Sequence, residues 1–372
     1  MKSDNLLYFV FLFVAASLFV ACDDDEGNTP SGPTGPTETL ADARQDMAGH
    51  IADNFILPAY EQLATDFANL KTEADAFAAN ADEAGLNKVR AALKTAWLSW
   101  QDAAIYQMGP TSTNALRVAL NTYPIDPELV ESNVTSGTYT LGSLSNKGAE
   151  GFPAIDFLLN DGDVLPTLTG QDNNRMTYLT DLIDHMKEQI DLVNNEWKNG
   201  GFVTNFRAEV SNGTDVGSAL GLIVNAIDLH FQRFLRDGKI AIPGGVRSAG
   251  VPRPTATEAF YGGYSVELLD RGLTAYFNLF KGEGINGTTE NSLLAYLNRI
   301  EQEGISKDIE SKFQQSLDKV AALSSPLSQQ IEQDNDKVIE VFLSLQELVG
   351  LFKSDMASVM GVMITNQDTD GD

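Results

Sequence analysis

Histidines and carboxylates are the side chains of this chain that could do chemistry. There are three histidines, His50, His185 and His230, and 52 aspartates and glutamates. His185 and Glu188 lie three residues apart on a predicted helix, where one turn could present both to a metal ion, although this pattern is also typical of a solvated charged face. His230 lies on an apolar stripe, which is typical of a hydrogen-bonded core histidine and is also compatible with a place at an interface between helical bundles.

Sequence motifs of the familiar catalytic centres are absent. The chain has no HExxH zinc motif, no GxSxG nucleophile elbow and no glycine-rich loop with a phosphate-binding lysine. Its single cysteine, Cys22, excludes an intrachain disulfide and a cysteine-based metal site. Any bound metal would therefore be held by histidines, carboxylates, amides or hydroxyls.

The charge of the chain is strongly negative. The 52 acidic residues outnumber 25 lysines and arginines, giving a net charge of −27. Such a charge argues against nucleic acid or an anionic membrane surface as a partner. It is compatible with cation binding and equally with a solvated acidic surface.

The first 22 residues have the pattern of an export signal. Lys2 precedes an uncharged apolar run over residues 6–21, which is short for a membrane span and suitable for a signal peptide. Phe19-Val20-Ala21-Cys22 resembles a lipobox, so we predict a lipoprotein signal peptide over residues 1–21 and acylation of Cys22. The alternative is an ordinary signal peptide with an incidental cysteine.

The residues that follow predict a tether at the outer membrane. Residues 23–26 are all acidic, which resembles a surface-export signal of some lipoproteins and also suits a solvated tether. Residues 22–38 therefore predict an acylated cysteine with a flexible linker. The expected location is the outer membrane, facing the periplasm or the cell surface.

Apolar residues recur every three or four positions along most of the remaining chain, which indicates amphipathic helices. Clear examples are Leu63, Phe67, Leu70, Ala74 and Phe77, and Val266, Leu269, Leu273, Tyr276 and Phe280. No sustained alternation indicates strands. We predict an all-α fold of two packed helical bundles with little or no β-structure, covering residues 39–200 and 201–372.

Three further features of the helical pattern lead to local predictions. Pro58 predicts a kink or break in the first long helix. A long final helix is expected over residues 328–363. Two long loops, residues 109–150 and 238–263, are expected to border a binding cleft between the bundles, because loops of this length in compact domains are often functional.

Several segments, in their order and spacing, resemble the imelysin-like family. They are residues 54–60, Ala96-Trp97, Gly109-Pro110, Arg117, residues 123–126, 151–159 and 239–244, and residues 258–261. The resemblance covers roughly residues 40–372. It implies an all-α fold of two related bundles and an exported protein linked to iron uptake, in a family that was first described as peptidases.

The segment Gly151-Phe152-Pro153-Ala154-Ile155-Asp156 stands where the family carries its GxHxxE signature. Gly151 is retained, whereas Pro153 replaces the histidine and Asp156 replaces the glutamate. Proline has no lone pair for a metal and suits the first turn of a helix. Asp156 is then the remaining candidate metal ligand, and its alternative role is to stabilise the helix start electrostatically.

These features lead to a preferred function and two alternatives. The candidate pocket residues are Tyr60, Trp97, Arg117, His230, Glu258 and Tyr261. The preferred hypothesis is a non-catalytic lipoprotein linked to iron or metal uptake, which binds a small ligand or a metal such as iron or another divalent ion and contacts other uptake proteins. The alternatives are an imelysin-type peptidase and a surface lipoprotein that binds a protein partner.

Overall fold

Every regular element that the structure describes is helical. The structure is a computed structural model that describes residues 38–170, 173–208, 213–284 and 289–366. No β-strand occurs within these ranges, which confirms the predicted all-α class. The predicted signal peptide, Cys22 and nearly all of the linker lie outside the described residues.

Two sets of α-helices precede and follow the undescribed residues 209–212. The first set comprises α1 (Leu40–Ile51), α2 (Leu57–Ala79), α3 (Glu83–Ala103), α4 (Gly109–Thr113), α5 (Leu116–Leu120), α6 (Pro127–Ser136), α7 (Gly151–Asn160), α8 (Leu165–Leu168), α9 (Asn174–Asn199) and α10 (Gly201–Ala208). The second set comprises α11 (Ala219–His230), α12 (Ser265–Lys281), α13 (Leu293–Arg299), α14 (Glu303–Ala321), α15 (Leu327–Gln333), α16 (Asn335–Gly350) and α17 (Ala357–Val359). In the described ranges, none of these helices has both the length and the apolar character needed to cross a membrane.

Helices α2, α3, α7 and α9 form the first bundle. Helix α2 packs against α3 and α9, and α7 packs against the same two helices. The predicted apolar stripe of α2 is fully buried, as are Trp97, Trp100 and Trp197. The large area of aromatic and aliphatic surface removed from water in this core is the main stabilising contribution.

Helices α11, α12, α14 and α16 form the second bundle, in which α14 packs against α12 and α16. Helix α12 also packs against α3 and so joins the two bundles, which confirms the predicted fold of two packed helical bundles. Helix α1 contacts α10, α11 and α13. The described residues from Thr39 onward belong to one compact unit, and the boundary near residue 200 stays a prediction.

Three helices continue through π-helical segments, whose hydrogen bonds reach five residues back along the chain. These segments are Ala52–Ile56, Phe231–Ala241 and Leu351–Met356. The first ends at Ile56, two residues before Pro58, which has no N–H to donate to the helical hydrogen-bond pattern. The break predicted at Pro58 is thus a local widening of one continuous helical run from α1 into α2.

Two predictions about helix boundaries were wrong. The final helix is interrupted at Asp334, between α15 and α16. The predicted loop over residues 109–150 contains α4, α5, α6 and a 3-10 turn, Leu144–Ala149. These helices are too short to show a clear apolar period, and the sequence signals their starts mainly through Pro110 and Pro127 in their first turns.

Candidate functional site

Two cavities adjoin each other where the segments 109–150 and 238–263 meet. The first, here named the arginine cavity, has a volume of about 260 Å³ and is lined by residues that include Arg117, Asn121, His230, Arg233, Phe234 and Lys239. The second, here named the signature cavity, has a volume of about 350 Å³ and is lined by residues that include Pro153, Asp156, Thr257, Phe260 and Tyr261. Tyr123 and Pro124 line both cavities. These volumes are suitable for a small ligand.

A buried carboxylate, that of Glu258, holds the wall of the arginine cavity together. Its Oε1 accepts hydrogen bonds from Trp97 Nε1 at 3.1 Å, Gln101 Nε2 at 3.3 Å and Asn121 Nδ2 at 2.7 Å. Its Oε2 pairs with the ammonium of Lys239, which is also buried. One neutralised ion pair therefore ties α3, the end of α5 and the 238–263 segment to each other.

The π-helical segment decides which face of its helix carries Lys239. In an α-helix of about 3.6 residues per turn, Lys239 and His230 would lie on opposite faces, since nine residues make about two and a half turns. The wider turns, seen in the hydrogen bond of 2.9 Å from Ile242 N to Asp237 O, bring both residues to the same cavity. The π-helical register of this segment thus brings the ammonium of Lys239 to the carboxylate of Glu258.

Asp156 lies buried at the signature cavity with both carboxylate oxygens hydrogen-bonded. Its Oδ2 accepts from the backbone N–H groups of Tyr261 and Gly262, at 3.0 and 3.1 Å. Its Oδ1 accepts from Asn160 Nδ2 at 3.0 Å. These backbone donors belong to the segment before α12 and not to the first turn of α7.

The pKa of Asp156 reflects this surrounding. Burial raises the pKa to about 6, against the lowering effect of its three hydrogen bonds. Gly262 makes the close approach possible, since a Cβ at that position would stand 2.6 Å from Asp156 Oδ1. The carboxylate of Asp156 thus joins α7 to the segment 238–263 through hydrogen bonds.

The titration of Asp156 should give the stability of the protein a distinct pH dependence. Because the pKa is raised from 3.8 to about 6, the folded protein favours the protonated carboxyl. This contribution to the free energy of unfolding is complete below pH 3.8 and is lost as the pH rises through about 6. The free energy of unfolding of the wild type, minus that of Asp156→Asn, should therefore fall by up to about 3 kcal/mol between pH 4 and pH 7. Urea unfolding at several pH values measures it, and a difference that is constant with pH would contradict the assignment.

The signature segment begins with a glycine that no other residue can replace without a clash. Gly151 has φ +80°, and a Cβ there would lie 2.4 Å from the backbone oxygen of Leu120. Pro153 lies in the first turn of α7, as predicted, and lines the signature cavity. Gly151 therefore allows α5 and α7 to approach each other closely.

The other predicted pocket residues fall in three places. Trp97 donates a hydrogen bond to Glu258. The arginine cavity is lined by Arg117 and His230, whereas Tyr261 lies beside Asp156. Tyr60 lies elsewhere, in the core of the first bundle, where its hydroxyl donates to the backbone oxygen of Ala103 at 3.1 Å. The structure thus places three of the six candidates, Arg117, His230 and Tyr261, in the two cavities, with Trp97 and Glu258 bonded to each other behind the wall of the arginine cavity.

The imidazole of His230 is held as a neutral group. Its Nδ1 lies 2.6 Å from the hydroxyl of Tyr276. Burial lowers its pKa well below the usual value, and the positive charges of Lys239 and Arg117 lower the pKa further.

Four polar residues of the site were missed by sequence reasoning: Gln101, Asn121, Arg233 and Lys239. Gln101 and Asn121 carry no motif, and their role depends on meeting a carboxylate more than a hundred residues away. The α-helical period would have placed Lys239 on the wrong face. The available signal for Arg233 was the local charge, since residues 233–253 hold five basic residues and one aspartate in an otherwise acidic chain.

Ligands for a metal ion do not gather at the signature segment. Within the described ranges, no group of three or more histidine, cysteine, aspartate and glutamate residues is arranged to hold an ion. Glu150, the residue directly before this segment, accepts hydrogen bonds from Gly142 N and Asn146 Nδ2, at 2.8 and 2.9 Å. The residues present do not fit a metal site made by the protein alone, and metal binding at Asp156 stays a prediction.

Comparison with known proteins places the chain in a family. The sequence model of the imelysin family, which is described as a peptidase family, matches residues 56–352. The chain belongs to the imelysin family. This match covers both bundles, the signature segment and both cavities of the imelysin chain.

Solved structures with the same fold support this assignment. One is a protein named as an iron-regulated protein A precursor from Parabacteroides distasonis ATCC 8503, with 17% identity, a TM-score of 0.70 and coverage of 88% of this chain and 97% of that chain. Another is an imelysin-like protein from Psychrobacter arcticum 273-4, with 16% identity, a TM-score of 0.70 and coverage of 88% and 98%. No curated protein matches the chain. At these identities the likeness shows the fold of this imelysin-family chain.

Proposed function

We propose that this imelysin-family chain is a non-catalytic binding protein linked to iron uptake, held at the outer membrane by a lipid on Cys22. The observation that carries the proposal is the pair of adjoining cavities, whose walls are fixed by the buried hydrogen bonds and ion pair of Glu258 and by the hydrogen bonds of Asp156. A preformed cavity of this kind binds a small ligand without a large ordering cost. The iron link comes from the name of one structural neighbour, an iron-regulated protein A precursor.

The state of the buried carboxylates favours binding over peptidase chemistry. A general base needs a free lone pair that can reach the proton of a substrate or a water. Glu258 is neutralised by Lys239 and bonded by three further donors, and both oxygens of Asp156 accept protein hydrogen bonds. Both groups act in this arrangement as structural junctions at the cavity walls.

Ligand screening tests the proposal against the peptidase alternative. The purified protein is expected to gain thermal stability with at least one member of a panel of Fe(II), Fe(III) chelates, other divalent ions and small organic anions, because a ligand that binds only the folded state stabilises it. In parallel, incubation with a denatured protein substrate is expected to give no cleavage. Cleavage that disappears in Asp156→Asn would reject the non-catalytic assignment and support a peptidase.

Acylation of Cys22 gives the tether a direct test. Wild-type protein expressed with its own leader should partition into the detergent phase of a Triton X-114 extraction and incorporate radiolabelled palmitate. Cys22→Ser removes the thiol that carries the lipid, so this variant should incorporate no label. Equal labelling of the two proteins would reject the lipid anchor, whereas protease accessibility on intact cells distinguishes the cell surface from the periplasm.

A further inference from the structure

We infer that the arginine cavity binds a small organic anion, a carboxylate or a phosphate compound, through the guanidinium groups of Arg117 and Arg233. This inference deepens the proposed function and rests on it. It names the chemistry of the ligand and assigns the recognition to residues outside the signature segment.

Arg117 is a prepared anion-binding group. Its guanidinium lies over the ring of Phe234, 3.7 Å from the centroid, so the ring holds the planar group in one orientation. Among the residues that the structure describes, no carboxylate pairs with it, and burial lowers its pKa. A half-buried guanidinium without an acidic partner has its hydrogen-bond donors available for the two oxygens of a carboxylate or phosphate.

The charge balance around the cavity leaves a net positive surplus. Lys239 is neutralised by Glu258, and His230 is neutral. Arg117 and Arg233 are then the two uncompensated charges of the lining, and neither has an acidic partner in the described ranges. Elsewhere in this chain of 52 acidic residues, Arg175, Arg207 and Arg271 pair with carboxylates. Two clustered positive charges suit a ligand with one or two negative charges.

The cavity also limits the size and the metal chemistry of the ligand. Its volume of about 260 Å³ lies below the usual range of sites for drug-sized molecules, so the ligand is small. A positive lining repels a bare iron cation. If iron is bound here, it enters as a chelate that carries negative charge, with the chelator supplying the ligands that the protein lacks.

Calorimetric titration of the full-length protein with citrate, Fe(III) citrate and inorganic phosphate tests the inference, and Fe(II) chloride serves as the cation arm. We expect saturable binding of at least one anion, which weakens as salt is raised. Arg117→Met, which keeps the stem on Phe234, should weaken binding at least about tenfold, and Arg117→Lys should weaken it less. Arg233→Met should also weaken binding, whereas Arg207→Met, which breaks an exposed ion pair away from the cavity, should leave it unchanged.

Comparison of the four titrations identifies the class of ligand, and each negative result has a defined meaning. Tighter binding of Fe(III) citrate than of citrate supports an iron chelate, whereas preference for phosphate supports a phosphate compound. No binding of any anion, or binding that Arg117→Met and Arg117→Lys leave unchanged in folded protein, would overturn the inference. Binding of Fe(II) without any anion would also overturn it and would leave the proposed function standing.

Discussion

Glu258→Gln is expected to lower the free energy of unfolding by about 3–5 kcal/mol, because the substitution leaves the ammonium of Lys239 buried without its counter-charge. The amide of glutamine can still accept a hydrogen bond from Trp97 or Asn121, so the loss comes mainly from the uncompensated charge. Urea unfolding at neutral pH measures the change. The matched control is Glu340→Gln, which breaks the exposed pair with Lys319 and should cost at most about 1 kcal/mol.

A double variant separates the charge effect from the loss of packing. Lys239→Met with Glu258→Gln removes both charges and keeps similar volumes, so it should recover most of the stability that Glu258→Gln loses. In Glu258→Gln alone, Lys239 has a depressed pKa in the folded state. Because burial lowers the pKa of Lys239, the deficit in stability against the double variant should grow as the pH falls below about 10, where the unfolded chain takes up the proton.

Two results would contradict this account of the cavity wall. If the double variant were as unstable as Glu258→Gln, the loss would arise from the hydrogen bonds of the carboxylate and not from the charge. If Glu258→Gln cost no more than Glu340→Gln, the Lys239–Glu258 pair would be as accessible to water as a surface pair.

Gly151→Ala is expected to destabilise the protein by about 3–5 kcal/mol. Two effects combine at this position. The residue has φ +80°, which L side chains rarely adopt, and the new Cβ would stand 2.4 Å from the Leu120 oxygen and 2.8 Å from its carbonyl carbon. Both atoms belong to the backbone, so α5 and α7 would have to move apart. Unfolding by urea with a probe of the tryptophan environment measures the loss.

Gly162→Ala provides the matched control for the clash. Gly162 has φ +76°, close to that of Gly151, but a Cβ there would meet no atom within 4 Å. Its substitution should therefore cost only the conformational term of roughly 1–2 kcal/mol. Equal losses in the two variants would show that the close approach of α5 and α7 does not depend on the glycine.

Glu258 and Gly151 shape the walls of the two adjoining cavities. Glu258 fixes the wall of the arginine cavity, whereas Gly151 sets the start of α7, which carries Pro153 and Asp156 into the signature cavity. A ligand site built from such junctions is rigid, because each wall belongs to several helices at once. We therefore expect substitutions at either position to weaken ligand binding together with stability, and the arginine variants to weaken ligand binding alone.

The sequence by itself determined the helical class and the main buried faces. Periodic apolar residues in α2, α3, α9 and α12 predicted the buried stripes, because a helix must turn one face toward the core. Sequence resemblance predicted the family, and the segments 109–150 and 238–263 line the two cavities, although the first contains short helices where a loop was predicted. These features are local, or follow from the order of short motifs, and so need no knowledge of how distant segments meet.

Only the tertiary structure decided which polar groups meet. Asp156 bonds to Tyr261 and Gly262, and Glu258 to Asn121, across more than a hundred residues, and no local pattern encodes such pairs. The face of Lys239 depends on the π-helical register of Phe231–Ala241, a segment that packs against α16, and the sequence pattern does not announce this register. Buried charges need partners, and a folded chain supplies them from wherever packing brings a donor or acceptor close.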